Sequence, residues 1–98
     1  MDMLTHRQVQ AKRGDILRLA AEHRTANVRL FGSVVRNEER PGSDVDFLVT
    51  AQPGCSLLDL GGLLMDLQDL LGNEVDVVVD SDLKPRLWER ILDEAVPL

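Results

Sequence analysis

"LFGSVVRNEERPGSDVDFLV", residues 30–49, sets two carboxylates one residue apart inside a segment that otherwise reads as a buried strand. An apolar run stops at Gly32-Ser33, ten residues follow (34–43), and Asp44 and Asp46 then interrupt a second apolar run. Side chains alternate faces along a strand, so Asp44 and Asp46 point one way while Val45 and Phe47 point the other. Their Cα atoms lie about 6.5–7 Å apart, close enough for the carboxylates to converge on one ion or bracket a pair. As a bare pattern, common by chance, D-x-D reads first as the solvated face of a half-exposed strand.

Downstream, residues 44–50 read as a strand that Pro53-Gly54 ends. Ser56 is positioned as an N-cap with Asp59 in the next turn, and Leu57, Leu60, Leu64, Leu67 and Leu71 line one face of a helix over 57–71. Gly72 suits the position after its end. Residues 75–79 (Val-Asp-Val-Val-Val) form a further strand in which Asp76 faces away from the valines. If the two strands are neighbours, Asp44, Asp46 and Asp76 gather on one patch. Such carboxylates raise one another's pKa unless a cation compensates, and their hard oxygens suit Mg²⁺ or Mn²⁺.

Upstream, Thr5 and Gln8 have capping-box spacing, and Val9, Ile16, Leu19 and Ala20 recur at helical intervals, which predicts one helix over about 6–24, weakened at Gly14. Residues 28–31 form a short strand after the turn-prone Asn27, and Ser33 caps a short helix to about Asn37 before a turn at Pro41-Gly42. Ser81 or Asp82 caps a last helix, with Pro85 in its first turn and Leu87, Trp88, Ile91 and Leu92 as its apolar face. Val96 and Leu98 pack back on the body. This order predicts an α/β (α+β) fold: a small mixed sheet of at least three strands flanked by helices, in a single domain over 1–98.

Composition narrows the function. The 98 residues carry 11 basic and 17 acidic side chains, a net charge of −6, which argues against direct nucleic-acid binding. A single cysteine, Cys55, excludes an internal disulfide and a cysteine-rich zinc site, and reads as a small half-buried residue before a helix. No apolar run approaches the ~20 residues that span a bilayer, and no secretory leader is apparent, so the expected location is cytoplasmic, without membrane attachment.

Gly32-Ser33 gives the carboxylates a context. Glycine after a strand lets a backbone approach a ligand closely, a helix N-terminus offers free N–H groups to an anion, and Ser33 adds a hydroxyl that can cap the helix or touch a phosphate. The combination Gly32-Ser33, ten residues, Asp44-Val45-Asp46 matches the G-S-x10-D-x-D signature of the DNA polymerase β-like nucleotidyltransferases. With Arg36, Glu38, Pro41 and Ser43, and the flanks "VRLFGS" and "SDVDFLV", the chain resembles the minimal nucleotidyltransferases of bacteria and archaea over about residues 8–98. One departure is Asn37, where that family usually has glycine; asparagine tolerates positive φ.

The resemblance implies the polymerase β-like palm fold and a nucleotide held by Gly32, Ser33 and Arg36. It also implies Mg²⁺ (two ions, with Mn²⁺ as a substitute) held by Asp44, Asp46 and Asp76, and Asp76 helping to deprotonate the acceptor. Relatives of this kind act as antitoxins that transfer AMP from ATP to a tyrosine of a HEPN ribonuclease toxin in a hetero-oligomer, releasing pyrophosphate. Two alternatives stand beside that: an antitoxin that neutralises its partner by contact without catalysis, and a small-molecule nucleotidyltransferase, whose kind generally carries a helical domain that this chain lacks.

Lesser candidates are weighed against plain surface roles. Arg36 contacts a triphosphate or pairs with Glu38 or a motif aspartate, whereas Arg29, Lys84, Arg86 and Arg90 read as a solvated charged face. Arg18 and His23 have the R-x4-H spacing of HEPN ribonucleases, but they diverge by about 140° on a helix and count as coincidence. His6 and His23 then read as surface histidines.

Overall fold

The structure, a computed structural model, describes residues 5–36 and 44–98. Its order is α1 (His6–Ala11), α2 (Arg13–Glu22), β1 (Thr25–Phe31), β2 (Val45–Ala51), α3 (Leu57–Leu71), β3 (Val75–Val79), a 3₁₀ turn (Asp80–Asp82), α4 (Pro85–Glu94) and β4 (Val96–Pro97). The strands form one mixed sheet in the order β3-β2-β1-β4. β1 runs antiparallel to both β2 and β4, while β2 and β3 are parallel. A parallel pair needs a crossover, and α3 supplies it.

The sheet has two different faces. Val28, Leu30, Val45, Phe47, Val49, Val75 and Val79 join Val9, Ile16, Ala20, Leu63, Leu67 and Leu71 in one buried cluster under α1–α3. Period-2 alternation sends Phe31, Asp46, Leu48 and Asp76 to the other face. Leu48 is fully buried yet lies outside that cluster, as its position on the second face requires.

α3 follows its sequence signals: Ser56 and Asp59 form a capping box, and Gly72 ends the helix at φ 64°. The single helix expected over 6–24 is instead two, broken at Lys12. The break falls where the Lys12 ammonium donates to the Leu70 carbonyl at 2.8 Å, satisfying an acceptor in the last turn of α3. Asn27 does not precede β1 but lies within it, at φ 51°, where the register with β2 shifts between Ala26 and Arg29. It carries a bulge, so the strand starts at Thr25.

Two expected caps fail. Ser81 and Asp82 belong to the 3₁₀ turn, and α4 starts at Pro85 with no side-chain cap. Proline at the first helical position lacks an N–H, so one orphan donor is absent from the start. Ser33 caps no helix over the described residues 33–36. The segment makes a single turn in which the Gly32 carbonyl accepts from Val35 (3.1 Å) and Arg36 (3.2 Å). Asn37 and the Pro41-Gly42 turn lie outside the described residues.

The expected apolar face of α4 is present but is not core, for none of its residues is buried and Leu87 is 41% exposed. The C-terminal residues do pack back, as β4 on β1, with Leu98 N–H donating to the Val28 carbonyl at 3.0 Å.

Core and surface leucines of α3 should therefore respond differently to truncation. Leu63 is 1% exposed and Leu58 is 88% exposed. Leu63→Ala should cost about 2–5 kcal/mol in urea denaturation and Leu58→Ala within about 0.5 kcal/mol of zero. Equal losses would contradict this placement of the core.

Candidate functional site

The parallel register sets Asp46 directly beside Asp76, and the antiparallel register sets Asp46 across from Phe31, the residue before Gly32. Neighbouring strands are about 4.8 Å apart, so the two carboxylates leave the same face side by side. Asp44 immediately precedes β2 and is exposed, as is Asp76, whereas Asp46 is half-buried. The structure thus sets Asp46 and Asp76 side by side on one face, with Asp44 close enough to act on the Asp46 charge. Among the described residues no three acidic, histidine or cysteine side chains already form a closed metal cage.

Electrostatics record how close they are. Burial first, then Asp76 and Asp44, and more weakly Glu94, push the Asp46 carboxyl up to about 6, while the Arg36 guanidinium opposes the rise. A cluster of oxygen donors whose charges resist one another fits a hard divalent cation by donor chemistry.

Gly32 ends β1 at φ 80°, and a Cβ there would overlap the Asp46 carboxylate. Glycine is required twice, by conformation and by contact. The turn after it carries Ser33 and returns Arg36 toward the strand end. The Gly32 N–H donates to Glu94 Oε1 at 2.7 Å, and Arg36 Nη1 donates to both Glu94 oxygens at 2.9 Å. A cleft of about 340 Å³ opens here, lined by Phe31, Gly32, Arg36 and Asp46 and by Leu87, Arg90, Ile91 and Glu94 of α4.

Sequence reasoning missed Glu94 and the use of Leu87 and Ile91 as cleft wall. It also assigned Arg90 to a solvated face, yet this side chain lines the cleft. The ion-pair partner of Arg36 on the described chain is Glu94, 58 residues away, while Glu38 lies outside the described residues. No local spacing announces such a pairing. The helical period of α4 places 87, 91 and 94 together, and that is the signal that could have found them.

Two surface assignments need correction. Arg29 is only 17% exposed and pairs with Asp80 at 3.1 Å, which also accepts from Thr50. His23 is 21% exposed, bonds Asp66 at 2.7 Å and packs on Gly62, where a Cβ would meet its ring. Arg18 is engaged with Asp15 and Glu22, so the R-x4-H spacing remains a coincidence. Cys55 is half-buried just before α3, as expected.

The Asp46 shift has a sign. Its folded pKa, about 6, exceeds the ordinary 3.8, so the charged carboxylate destabilises the metal-free fold above pH 6. That cost shrinks as pH falls through 6 and vanishes below about 3.8, where both folded and unfolded chains are protonated. Asp46→Asn should therefore stabilise the metal-free protein at pH 7, on the order of 1 kcal/mol after allowing for solvent screening. Melting curves at pH 7.5 and pH 4 check this; an equal gain at both would contradict it.

Comparison with known proteins agrees with this geometry. A family described as "Nucleotidyltransferase domain" matches residues 15–98. A candidate protein adenylyltransferase of Methanocaldococcus jannaschii is 43% identical over 81 residues, covering 83% of this chain and 87% of that protein. A solved structure of a candidate minimal nucleotidyltransferase superposes with a TM-score of 0.87 at 45% identity, covering 96% of both chains. The MNT antitoxin fold, in a complex with a tri-AMPylated Shewanella oneidensis HEPN toxin, superposes with a TM-score of 0.68 at 20% identity, covering 90% of this chain and 69% of that one. With a match over residues 15–98 and the sheet, cleft and carboxylates in place, the chain belongs to the nucleotidyltransferase domain family.

Proposed function

We propose that this protein is an antitoxin nucleotidyltransferase that transfers AMP from ATP to a hydroxyl, a tyrosine's, on a HEPN-type ribonuclease toxin. The observation that carries this is one cleft lined by an anion cradle, Gly32 and Arg36, and by Asp46, whose register partner on the next strand is Asp76. Support for a protein acceptor comes from the relative described as a candidate protein adenylyltransferase and from the neighbouring fold found beside an AMPylated toxin. The net charge of −6 suits docking on a basic, RNA-cleaving partner in a hetero-oligomer. Among the described residues no helix is long and apolar enough to cross a membrane, which fits a cytoplasmic setting.

In this reading Gly32, Ser33 and Arg36 bind the triphosphate, and the apolar wall of Leu87 and Ile91 limits water in the cleft. Asp44, Asp46 and Asp76 would hold Mg²⁺, two ions, whose chemistry when bound is to neutralise charge on the attacking and leaving oxygens. The acceptor oxygen forms a bond to the α-phosphorus as the bond to the bridging oxygen of the β-phosphate breaks. Pyrophosphate leaves with that electron pair, and the hydroxyl proton passes to Asp76. Gly32 and the cleft wall fix the α-phosphate so that attack and departure lie in line.

Incubating the purified pair with ATP and Mg²⁺ should add one or more AMP units to the partner's mass. Asp46→Asn should lower the transfer rate by at least about 100-fold, since loss of even an indirect metal contact costs 10–100-fold. It should still bind the partner, and protection at substoichiometric ratios should disappear. Full protection by Asp46→Asn at every ratio would instead support neutralisation by contact.

A further inference from the structure

The anion cradle is filled by the chain itself. Glu94 is the last residue of α4, and the chain then turns through Ala95 into β4. Pairing of Val96 with Leu30 and of Pro97 with Arg29 anchors that helix end next to the end of β1. The Glu94 carboxylate thereby accepts from the Gly32 N–H at 2.7 Å and from Arg36 through both oxygens at 2.9 Å. A backbone N–H on a left-handed glycine and a guanidinium are the donors that a phosphate oxygen would use. One set of donors cannot serve both anions in this geometry.

We propose that Glu94 is a built-in competitor for the phosphate subsite, a carboxylate that the nucleotide's phosphate must displace from Gly32 and Arg36. This rests on the nucleotidyltransferase reading above and names the residue that sets which ligands enter. A ligand without a strongly charged phosphate chain gains too little to expel a bonded carboxylate, so Glu94 selects triphosphates over less charged nucleotides. Release needs only a rotation of the Glu94 side chain, since β4 pairing keeps the helix end in place. The Glu94 side chain is itself 29% exposed, which leaves it a route to solvent.

The test is calorimetric binding of α,β-methylene-ATP, whose α–β linkage cannot be cleaved, and of inorganic tripolyphosphate, each with Mg²⁺. Glu94→Gln keeps the side-chain length and an oxygen for the Gly32 N–H but removes the charge held by Arg36. It should bind both probes about tenfold more tightly than the native protein, and Glu94→Ala should shift in the same direction. Asp93→Asn removes an exposed neighbouring charge that is not in the cradle and should change either affinity by less than about twofold. Three results would overturn the proposal: unchanged or weaker binding by Glu94→Gln, as expected if Glu94 merely orders Arg36; a gain shared equally by Asp93→Asn; or a gain for the nucleotide without one for tripolyphosphate. Absence of probe binding by the native protein and both Glu94 variants would remove the nucleotide reading along with it, an outcome distinct from equal binding by all three.

Discussion

Asp46 and Asp76 stand in register on adjacent parallel strands, and most of the domain can be understood as the means of keeping them there. Two carboxylates side by side repel, and nothing in their own chemistry favours the arrangement. The opposite face of the same strands supplies the compensation. Val45, Phe47, Val49, Val75 and Val79 are buried against α1–α3, and a slip of one residue in either strand would turn valines to solvent and aspartates into the core. The apolar pattern thus fixes the register, and the register imposes the carboxylate pair. The crossover through α3, capped at both ends, holds the two strands parallel.

Gly32 is the second fixed point. It lies where β1 meets the β2 carboxylate edge, and the space a side chain would fill is taken by Asp46. Close approach of backbone to carboxylate is what puts an N–H donor within one cleft of the acidic patch. A site that must handle phosphate oxygens with donors and their counter-charges with carboxylates needs both within a few ångströms, and omission of one Cβ permits it.

Legibility from sequence followed the range of the interactions. β2, β3 and α3 were readable because alternation, a helical leucine period and a Ser56/Asp59 capping box are all local, and the same alternation put Asp46 and Asp76 on one side, while Asp44 precedes the strand. The α1–α2 break at Lys12 was not readable, since it coincides with a contact to Leu70 that is distant in the chain. The bulge at Asn27 was mistaken for a boundary because asparagine signals positive φ without saying whether a strand ends or merely kinks. Arg29 and His23 were read as solvated for want of their partners, Asp80 and Asp66, each on another element. Glu94 was invisible for the same reason: its partners lie 62 and 58 residues back.

The charges in and beside the cleft explain why an acidic site can await an anionic ligand without collapsing. Asp46 and Glu94 line the cleft with Arg36 and Arg90, and Asp44 and Asp76 act on Asp46 from beside it, so among the described residues the acidic groups there outnumber the basic ones. A bare triphosphate would meet repulsion from these carboxylates, and the Asp46 pKa, raised first by burial, is raised further by Asp76 and Asp44. Arg36 holds the only one of these carboxylates that sits on a helix without buried residues, while Asp46 and Asp76 are fixed by the sheet. The division is mechanical as well as electrostatic. Asp46 and Asp76 are carried by paired strands, and the group that can leave is a part-exposed side chain on a helix with no buried residue.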